Sequence, residues 1–220
     1  MPLRFSKTKL GDYKNCPRKF YISNFTLMGK QRPDHEPDYL TNGKLCHTYF
    51  ENYNLGIPNK PTQNEFVIVN VSNFTHILDE YGLGRATYAE QKIYDPERDL
   101  VGVVDAVYHK DTEHWLIDYK TGKFRKDKMT DMRFELYLYV YLVEKYLKLV
   151  INKIGMFYTQ FPECSFVEKV SRKKIESNLL KYDKMVNDIN ELKFPRIRGP
   201  LCNYCDYIYA CESFKDDIID

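Results

Sequence analysis

The sequence predicts an α/β protein that forms a single domain over residues 1–220. Helical patterns occupy the first part of the chain, a run of strands follows, and a long helix, another strand and a final helix complete the order. A chain of 220 residues is long enough to bury a sizeable core. Its hydrophobic content of 43% and charged content of 29% are ordinary for a globular domain.

Two short helices are predicted at the start of the chain. Ser6 is suited to cap the first, which runs through Tyr13, because a serine side chain accepts hydrogen bonds from the free N–H groups of a first turn. Pro17 is suited to open the second, over Arg18–Phe25. The segment Gly29–Pro37 is polar and contains two prolines, so we expect a loop there.

Helical spacing resumes over Leu40–Asn54, and Gly56–Pro61 breaks it. The next stretch, Glu65–Gly82, has two interpretations. Its apolar run Phe66–Val69 fits either a strand or the start of a helix, whereas Val71–Tyr81 has helical spacing.

A run of strands follows. Thr87–Tyr94 is predicted to be a strand, and the turn Asp95–Arg98 leads from it into a hairpin. Leu100–His109 and Trp115–Lys120 are the predicted hairpin strands, because both are rich in β-branched and aromatic residues and only polar residues separate them.

The register of this hairpin follows from its turn. If Asp111 and Thr112 form a two-residue loop, the numbers of paired residues sum to 223. Asp105 then faces Asp118, and Lys120 lies two residues further along the same face. The opposite face is apolar and is predicted to be core; it carries Val104, Ala106, Tyr108, Trp115, Ile117 and Tyr119.

The facing carboxylates need an explanation. Like charges directly opposed across antiparallel strands are destabilising, because their Cβ atoms lie only about 4.5–5.5 Å apart. A divalent cation between Asp105 and Asp118 would supply the missing charge, and Lys120 would then orient a water molecule or stabilise a developing oxyanion. The alternative is a surface hairpin in which Asp118 and Lys120 form a solvated ion pair and Asp105 is exposed.

Three further elements are predicted after the hairpin. Met132–Leu149 reads as a long helix capped by Thr130 or Asp131. Ile154–Gln160 is predicted to be a strand, and Ser171–Leu192 a basic amphipathic helix.

Charge and targeting signals narrow the possible settings. The chain carries 33 basic and 31 acidic residues, so any nucleic acid would have to be held by local basic patches. The start lacks the apolar region of a signal peptide, and the longest apolar run, Leu136–Val143, is too short to cross a bilayer. We therefore expect a cytoplasmic, reducing setting, in which cysteines act as metal ligands or stay as buried thiols.

A cysteine motif near the end of the chain predicts a metal site. Cys202 and Cys205 have the two-residue spacing of a metal-binding knuckle, and Cys211 follows shortly after. The candidates for a fourth ligand are Cys16, Cys46 and Cys164. Cys16 is preferred, because Pro17 places it at a helix boundary where its side chain can be presented.

The identity of the metal stays open at this point. Zinc sites more often use two paired knuckles, and an uneven set of four cysteines suits an iron–sulfur cluster at least as well. A third interpretation leaves Cys202, Cys205 and Cys211 as unligated buried thiols. A zinc ion or an iron–sulfur cluster would each join Cys16 to the C-terminal cysteines, and this link would restrain the unfolded chain.

Five motifs follow one another along nearly the whole chain. They are Ser6, Leu10 and Tyr13 with Cys16–Phe20, then Gly43–His47, Gly102–Asp105, Ile117–Gly122 and Glu135–Tyr139. In this order they resemble the motifs of RecB-like nucleases of the PD-(D/E)XK superfamily. Cys16 with Cys202, Cys205 and Cys211 resembles the four-cysteine set of the CRISPR-associated Cas-four nucleases. The resemblance implies a restriction-endonuclease-like fold, with a mixed central sheet flanked by helices.

The resemblance also implies a set of site residues. The metal ligands would be His47, Asp105, Asp118 and the backbone carbonyl of Tyr119, and Lys120 would be the catalytic lysine. The metal would be Mn²⁺ or Mg²⁺, and an imidazole ligand favours manganese. The cysteines would hold a structural [4Fe–4S] cluster joining residues 1–30 to residues 195–220.

Three further positions belong to the candidate site. Glu135 and Tyr139 fall where the family has a glutamine and a tyrosine. Glu135 therefore replaces an amide with a carboxylate, which would add an outer ligand or shift the metal preference. At i and i+4 the two residues still share a helix face. Glu90 is a weaker candidate for the edge of the site, with a solvated strand residue as the alternative.

Local positive charge is expected to hold the DNA. A basic loop follows the second hairpin strand and comprises Lys120, Lys123, Arg125, Lys126 and Lys128. Further candidates are Arg18, Lys19, Arg172, Lys173 and Lys174. Phe124 and Tyr119 are candidates for stacking on the bases of a single strand, although Tyr119 lies on the core face of the predicted register.

The sequence thus predicts a metal-dependent DNA exonuclease that acts on single strands or ends. The alternatives are a structure-specific endonuclease or phage-type recombination nuclease on the same core, and a non-catalytic DNA-binding adaptor with a structural metal cluster. The resemblance implies CRISPR adaptation integrase proteins as partners and a role in antiviral defence, while a viral protein acting in the host cytoplasm and general repair stay open.

Overall fold

The computed structural model describes residues 4–28 and 38–213. They form the helices α1 Lys7–Asn15, α2 Pro17–Phe25, α3 Asp38–Leu55, α4 Glu65–Tyr81, α5 Met129–Tyr146, α6 Arg172–Asn190 and α7 Ile208–Ser213. The strands are β1 Tyr88–Asp95, β2 Leu100–Lys110, β3 Glu113–Lys120, β4 Ile151–Tyr158 and β5 Phe166–Lys169. The predicted loop Gly29–Pro37 lies outside the described residues.

The chain forms two compact units. The first comprises the described parts of Met1–His35, Glu97–Leu100 and Leu179–Asp220. The second comprises those of Glu36–Pro96 and Val101–Asn178. The hairpin, apart from Leu100, lies in the second unit.

A five-stranded mixed sheet forms the centre of the fold, with strand order β1-β2-β3-β4-β5. β2 and β3 are antiparallel, β3 and β4 are parallel, and β4 and β5 are antiparallel. Parallel neighbours need a long crossover, and α5 provides it between β3 and β4. The predicted mixed sheet flanked by helices is therefore confirmed, although β5 was not predicted.

The hairpin has the predicted register. Cα partners run from Ala106 and Ile117 to Lys110 and Glu113, and their numbers sum to 223. Asp111 adopts a left-handed conformation with φ of 54°, which suits a tight two-residue turn. All six residues of the predicted core face are buried.

The predicted helices are present with bounds that differ by up to about three residues, whereas α7 was not predicted. Ser6 caps α1 by accepting from the Lys9 N–H, and Pro17 opens α2. The stretch Glu65–Tyr81 is a single helix, with Asn64 as its cap. This outcome decides the ambiguous segment in favour of the helix.

The predicted cap of α5 is wrong. A 3₁₀ turn over Lys126–Lys128 leads directly into the helix, which begins at Met129 without a side-chain cap. Thr130 and Asp131 therefore lie inside the first turn of α5. The turn was not visible in the sequence, because its residues are all polar and lack a breaker.

Aromatic packing fills the core between the sheet and helices α3 and α4. Phe50 and Phe74 stack with ring centroids 4.4 Å apart, and the Tyr119 ring lies 5.3 Å from each of them. Such buried aromatic pairs add to the stability that comes from their large buried area. This cluster fixes α3, and with it any side chain that α3 presents toward the sheet.

Helix α5 packs closely on β2 at Gly102. A Cβ atom at this position would lie 2.7 Å from Leu142 Cδ1 and 2.9 Å from Tyr139 Cε1. Glycine is therefore required by the close approach of the helix to the strand. Within the described residues, no helix is both long and apolar enough to cross a membrane.

In the first unit, the two N-terminal helices are bonded to a segment near residue 194. The Tyr13 hydroxyl donates to the Lys193 carbonyl at 2.9 Å, and Arg18 Nε donates to the Phe194 carbonyl at 3.0 Å. Arg18 is buried, so its predicted role in DNA contact is wrong. Its guanidinium instead satisfies a buried carbonyl, a structural use of the charge.

Candidate metal centre

The end of the hairpin brings two carboxylates and a lysine to one place. Beyond the Ala106–Ile117 pair, the Asp105 carboxylate accepts a hydrogen bond of 2.7 Å from the Tyr119 N–H. Asp118 is buried, and its Oδ2 lies 2.5 Å from Lys120 Nζ. The alternative of a solvated surface ion pair is therefore wrong, because neither partner is largely exposed.

Helix α3 supplies the histidine. His47 Nδ1 lies 3.8 Å from Asp105 Oδ2 and 3.3 Å from Glu90 Oε1. One turn earlier on α3, a Cβ atom at Gly43 would lie 3.1 Å from the Thr121 hydroxyl. The small residue lets α3 approach the chain just after Lys120, which explains the glycine of the Gly43–His47 motif.

Glu90 also lies in this group. The sequence had not decided between a place at the edge of the site and a solvated strand residue. It lies within β1, yet its φ of 46° is in the left-handed region that non-glycine residues rarely adopt. A strand residue with this backbone departs from the regular alternation of side chains. Sequence periodicity could therefore not assign Glu90 to a face of the sheet.

Three potential ligands converge. Within the part of the chain that the structure describes, ligand atoms of His47, Glu90 and Asp105 all lie within 4.8 Å of one another. Asp118 is not a member of this trio but is close enough to Asp105 to raise its pKa. The candidate centre is defined here as His47, Glu90, Asp105, Asp118 and Lys120.

The electrostatics of the centre favour bound positive charge. Burial raises the pKa of Asp105 to about 7, and the nearby Asp118 carboxylate adds to the effect, while His47 and Lys120 oppose it. For His47, burial opposes protonation, but the bond to Glu90 and the charges of Asp105, Glu90 and Asp118 raise its pKa overall. Asp105 and His47 therefore bind protons more tightly than the free side chains do.

These donors fit a divalent cation. Carboxylate oxygens suit Mg²⁺ and Mn²⁺, and an imidazole nitrogen is accepted better by manganese. A cation would relieve the repulsion that now raises the pKa of Asp105. The residues present therefore fit the metal that the sequence predicted, with Glu90 in addition.

Tyr119 has two predicted roles with different outcomes. Its side chain is buried, and its hydroxyl lies 2.5 Å from that of Tyr108 and accepts from Asn54 Nδ2. The prediction that it stacks on DNA bases is therefore wrong, because the ring is part of the core. A metal contact through its backbone carbonyl stays a prediction.

Glu135 and Tyr139 lie on α5. Glu135 is half-buried, and Tyr139 is buried against β2 at Gly102. Their roles in catalysis stay predictions.

The basic loop is exposed beside the candidate centre. Lys123, Arg125 and Lys126 are all exposed, and Arg125 pairs with Asp127 at 2.7 Å. The Phe124 ring packs edge-on against Tyr158 but remains 38% exposed, so it keeps a free surface for stacking. Arg172 bonds Glu144 and the Ile151 carbonyl, and its side chain is 51% exposed, so its contact with DNA stays a prediction.

Four cysteines line one pocket in the first unit. They are Cys16, Cys202, Cys205 and Cys211, and Lys19 and Arg196 line the same pocket. Cys46 is packed in the core of the second unit, where burial raises its pKa to about 11. Among residues 4–28 and 38–213, no three cysteine sulfurs lie within 4.8 Å of one another. The predicted metal cluster is thus not shown by the structure.

The chain was compared with known proteins. A family model described as the PD-(D/E)XK nuclease superfamily matches residues 61–212, which include the hairpin but not His47 or Cys16. None of the curated proteins matches the chain. Among solved structures, one titled "Crystal structure of SSO0001" is similar with a TM-score of 0.42 and 12% identity, over 94% of this chain and 85% of that chain. Because the family model covers well over half of the chain, this protein belongs to the PD-(D/E)XK nuclease superfamily.

Proposed function

We propose that this protein is a divalent-metal-dependent DNA exonuclease that acts on single strands or ends. The observation that carries the proposal is the convergence of His47, Glu90 and Asp105 with the Asp118–Lys120 pair in a chain of a nuclease superfamily. Membership of that superfamily implies hydrolysis of phosphodiester bonds. The exposed basic loop next to this centre supports DNA as the substrate.

Hydrolysis requires a water molecule to lose a proton as its oxygen bonds phosphorus. The bond to the leaving sugar oxygen breaks in the same reaction, and that oxygen gains a proton. A bound cation supplies charge stabilisation for the transition state. Lys120 is held against Asp118, so its ammonium has a fixed position from which to orient water or stabilise the phosphoryl oxygens. The Asp105 carboxylate is fixed by the Tyr119 N–H.

The test is digestion of end-labelled oligonucleotides with Mn²⁺, with Mg²⁺ and with chelator. We expect cleavage with either metal and none with chelator. Lys120→Ala should reduce cleavage by at least about a hundredfold while DNA binding persists. Lys181→Ala, at an exposed lysine of α6, is the matched control and should cleave normally. Metal-independent cleavage, or an unaffected Lys120→Ala variant, would refute the proposal.

Circular single-stranded DNA separates the two enzyme classes. An exonuclease needs an end, so it should leave the circle intact and digest the same strand after linearisation. Cleavage of the circle, or selective cutting of a branched duplex, would favour the endonuclease alternative. Binding without cleavage of any substrate would favour the adaptor alternative.

We further propose that the cysteine pocket holds a structural [4Fe–4S] cluster. The four cysteines line a single pocket, and the cations of Lys19 and Arg196 would offset the charge of four thiolates.

Anaerobically purified protein should be brown and contain iron. Cys205→Ser should lose the colour, whereas the control Cys164→Ser should keep it. A colourless protein with one zinc per chain would refute the iron assignment and leave the nuclease proposal standing.

The Cas-four resemblance extends the proposal to a role in CRISPR adaptation with an integrase partner. Co-elution of the two purified proteins on gel filtration would support this setting. Separate elution at micromolar concentrations would count against it.

A further inference from the structure

We propose that Glu90 is a direct ligand of the catalytic cation, and that its unusual backbone conformation is retained for this purpose. The inference rests on the proposed metal-dependent activity and deepens it. It assigns a carboxylate in addition to the ligands that the family resemblance implies, which are His47, Asp105, Asp118 and the Tyr119 carbonyl.

The spacing of the donor atoms supports a shared ion. Glu90 Oε1 is 3.3 Å from His47 Nδ1, and that nitrogen is 3.8 Å from Asp105 Oδ2. Adjacent ligands of an octahedral ion are about 3 Å apart when the metal–ligand bonds are about 2.1 Å. The two distances from the His47 nitrogen therefore differ from that spacing by less than about 1 Å.

The backbone of Glu90 gives an independent argument. A φ of 46° inside β1 costs free energy for a residue with a long side chain, and asparagine or glycine would adopt it more easily. Strained residues cluster where a side chain must be held in a particular place. Here the side chain so placed is a carboxylate facing His47 and Asp105.

Charge balance supports the same assignment. Asp105, Asp118 and Glu90 bring three negative charges, and the Lys120 ammonium offsets one of them. With neutral His47, one divalent cation would then balance the centre. Without Glu90 the same ion would leave an excess positive charge in a half-buried site, which is costly.

The test measures Mn²⁺ binding to the purified full chain, without DNA, from the electron paramagnetic resonance signal of free Mn²⁺. Glu90→Gln should weaken Mn²⁺ affinity by tenfold or more, because an amide is a poorer ligand than a carboxylate. Glu80→Gln, at an exposed glutamate of α4, should bind like the wild type. Equal affinities of the wild type and Glu90→Gln would overturn the assignment.

Pulsed measurements of bound Mn²⁺ separate ligation from mere positioning of His47. If Glu90 ligates the ion, water should fill its place, so Glu90→Gln should gain exchangeable water on the manganese. An unchanged water count with weaker binding would reduce Glu90 to a positioning residue and overturn the proposal.

The backbone strain at Glu90 can be tested separately, from the melting temperatures of variants of the metal-free protein. Glu90→Asn should melt at a higher temperature than Glu90→Gln, because asparagine tolerates the left-handed backbone better. Equal melting temperatures would overturn the strain argument. If only the assignment of Glu90 as a ligand is wrong, the wild type still binds Mn²⁺ and cleaves DNA. If the proposed function is wrong, the wild type does neither.

Discussion

The backbone N–H of Thr159 donates a hydrogen bond of 2.9 Å to the carbonyl oxygen of Lys120. Thr159 follows β4 and is itself held from α4, because its hydroxyl donates to Asn70 Oδ1 at 2.5 Å and its carbonyl accepts from Asn73 Nδ2 at 2.7 Å. Thr159 and Asn70 are fully buried. A polar connection thus runs from α4 through the end of β4 to the backbone of the proposed catalytic lysine.

Thr159→Val should lower both stability and turnover. Valine keeps the shape but removes the hydroxyl, so Asn70 Oδ1 loses a buried donor at a cost of about 1–3 kcal/mol. We expect kcat to fall several-fold with KM for DNA little changed, because the backbone of Lys120 is less well held. Urea unfolding and steady-state kinetics would measure both effects. The control is Thr75→Val, whose hydroxyl bonds only within α4; an identical result for both variants would contradict the argument.

The metal-free protein should lose stability as pH rises. Asp105 has a folded-state pKa of about 7 against an ordinary 3.8, so its proton stabilises the fold below pH 4 and is lost as pH rises through about 7. His47, whose pKa is also raised, acts in the same direction. We expect a loss on the order of 4 kcal/mol between pH 4 and pH 8 in chelator, measured by urea unfolding.

Asp105→Asn should remove most of this slope, because an amide does not titrate. Asp79→Asn, at an exposed site on α4, should leave the slope unchanged. Saturating Mn²⁺ should restore stability at pH 8 in the wild type, since the cation takes the place of the proton. A flat profile in chelator would show that the carboxylates are not crowded as described.

Gly102→Ala should destabilise the fold. The added methyl group would lie 2.7 Å from Leu142 Cδ1, so α5 would have to shift away from β2, at a cost of about 1–3 kcal/mol. Gly84→Ala is the control, because nothing lies within 4 Å of a Cβ atom there. Thermal unfolding of the two variants would check the difference, and equal melting temperatures would argue against the close approach of α5.

Asp95 is a buried carboxylate that joins β1 to α5. It accepts from the hydroxyls of Tyr141 at 2.6 Å and Tyr146 at 2.7 Å, and Lys145 Nζ lies 3.3 Å away. Asp95→Ala should cost about 3–5 kcal/mol, because it removes a buried carboxylate that pairs with Lys145 and accepts from two tyrosine hydroxyls. Asp95→Asn should cost less, since an amide oxygen still accepts. Chemical denaturation would rank the variants, and a reversed ranking would contradict this account.

The hairpin was predictable because its rules are local. A two-residue turn fixes the register, and the register is observed from the Ala106–Ile117 pair to the Lys110–Glu113 pair. Continued by one pair, the same register predicts that Asp105 and Asp118 share a face. The burial of Tyr119 followed from the same alternation. The convergence of His47 on this group depended on a family resemblance, since no local rule relates α3 to the hairpin.

Other features could not be predicted from local rules. Glu90 is placed by an irregular backbone within β1, and periodicity assumes a regular one. Arg18 was predicted to be a DNA contact because charged side chains are usually exposed, yet a buried carbonyl at Phe194 uses it. Only contacts between residues far apart in the sequence show that a buried arginine satisfies a buried carbonyl.

The cysteine pocket also constrains the order of folding during synthesis. The pocket is lined by Cys16 and by residues between 196 and 211, so it cannot form until Cys211 has left the ribosome. At about 5–20 residues per second, that delay is about 10–40 s, whereas the hairpin can close as soon as its own residues emerge. Until residues 196–211 have been synthesised, Cys16 therefore lacks the other walls of its pocket.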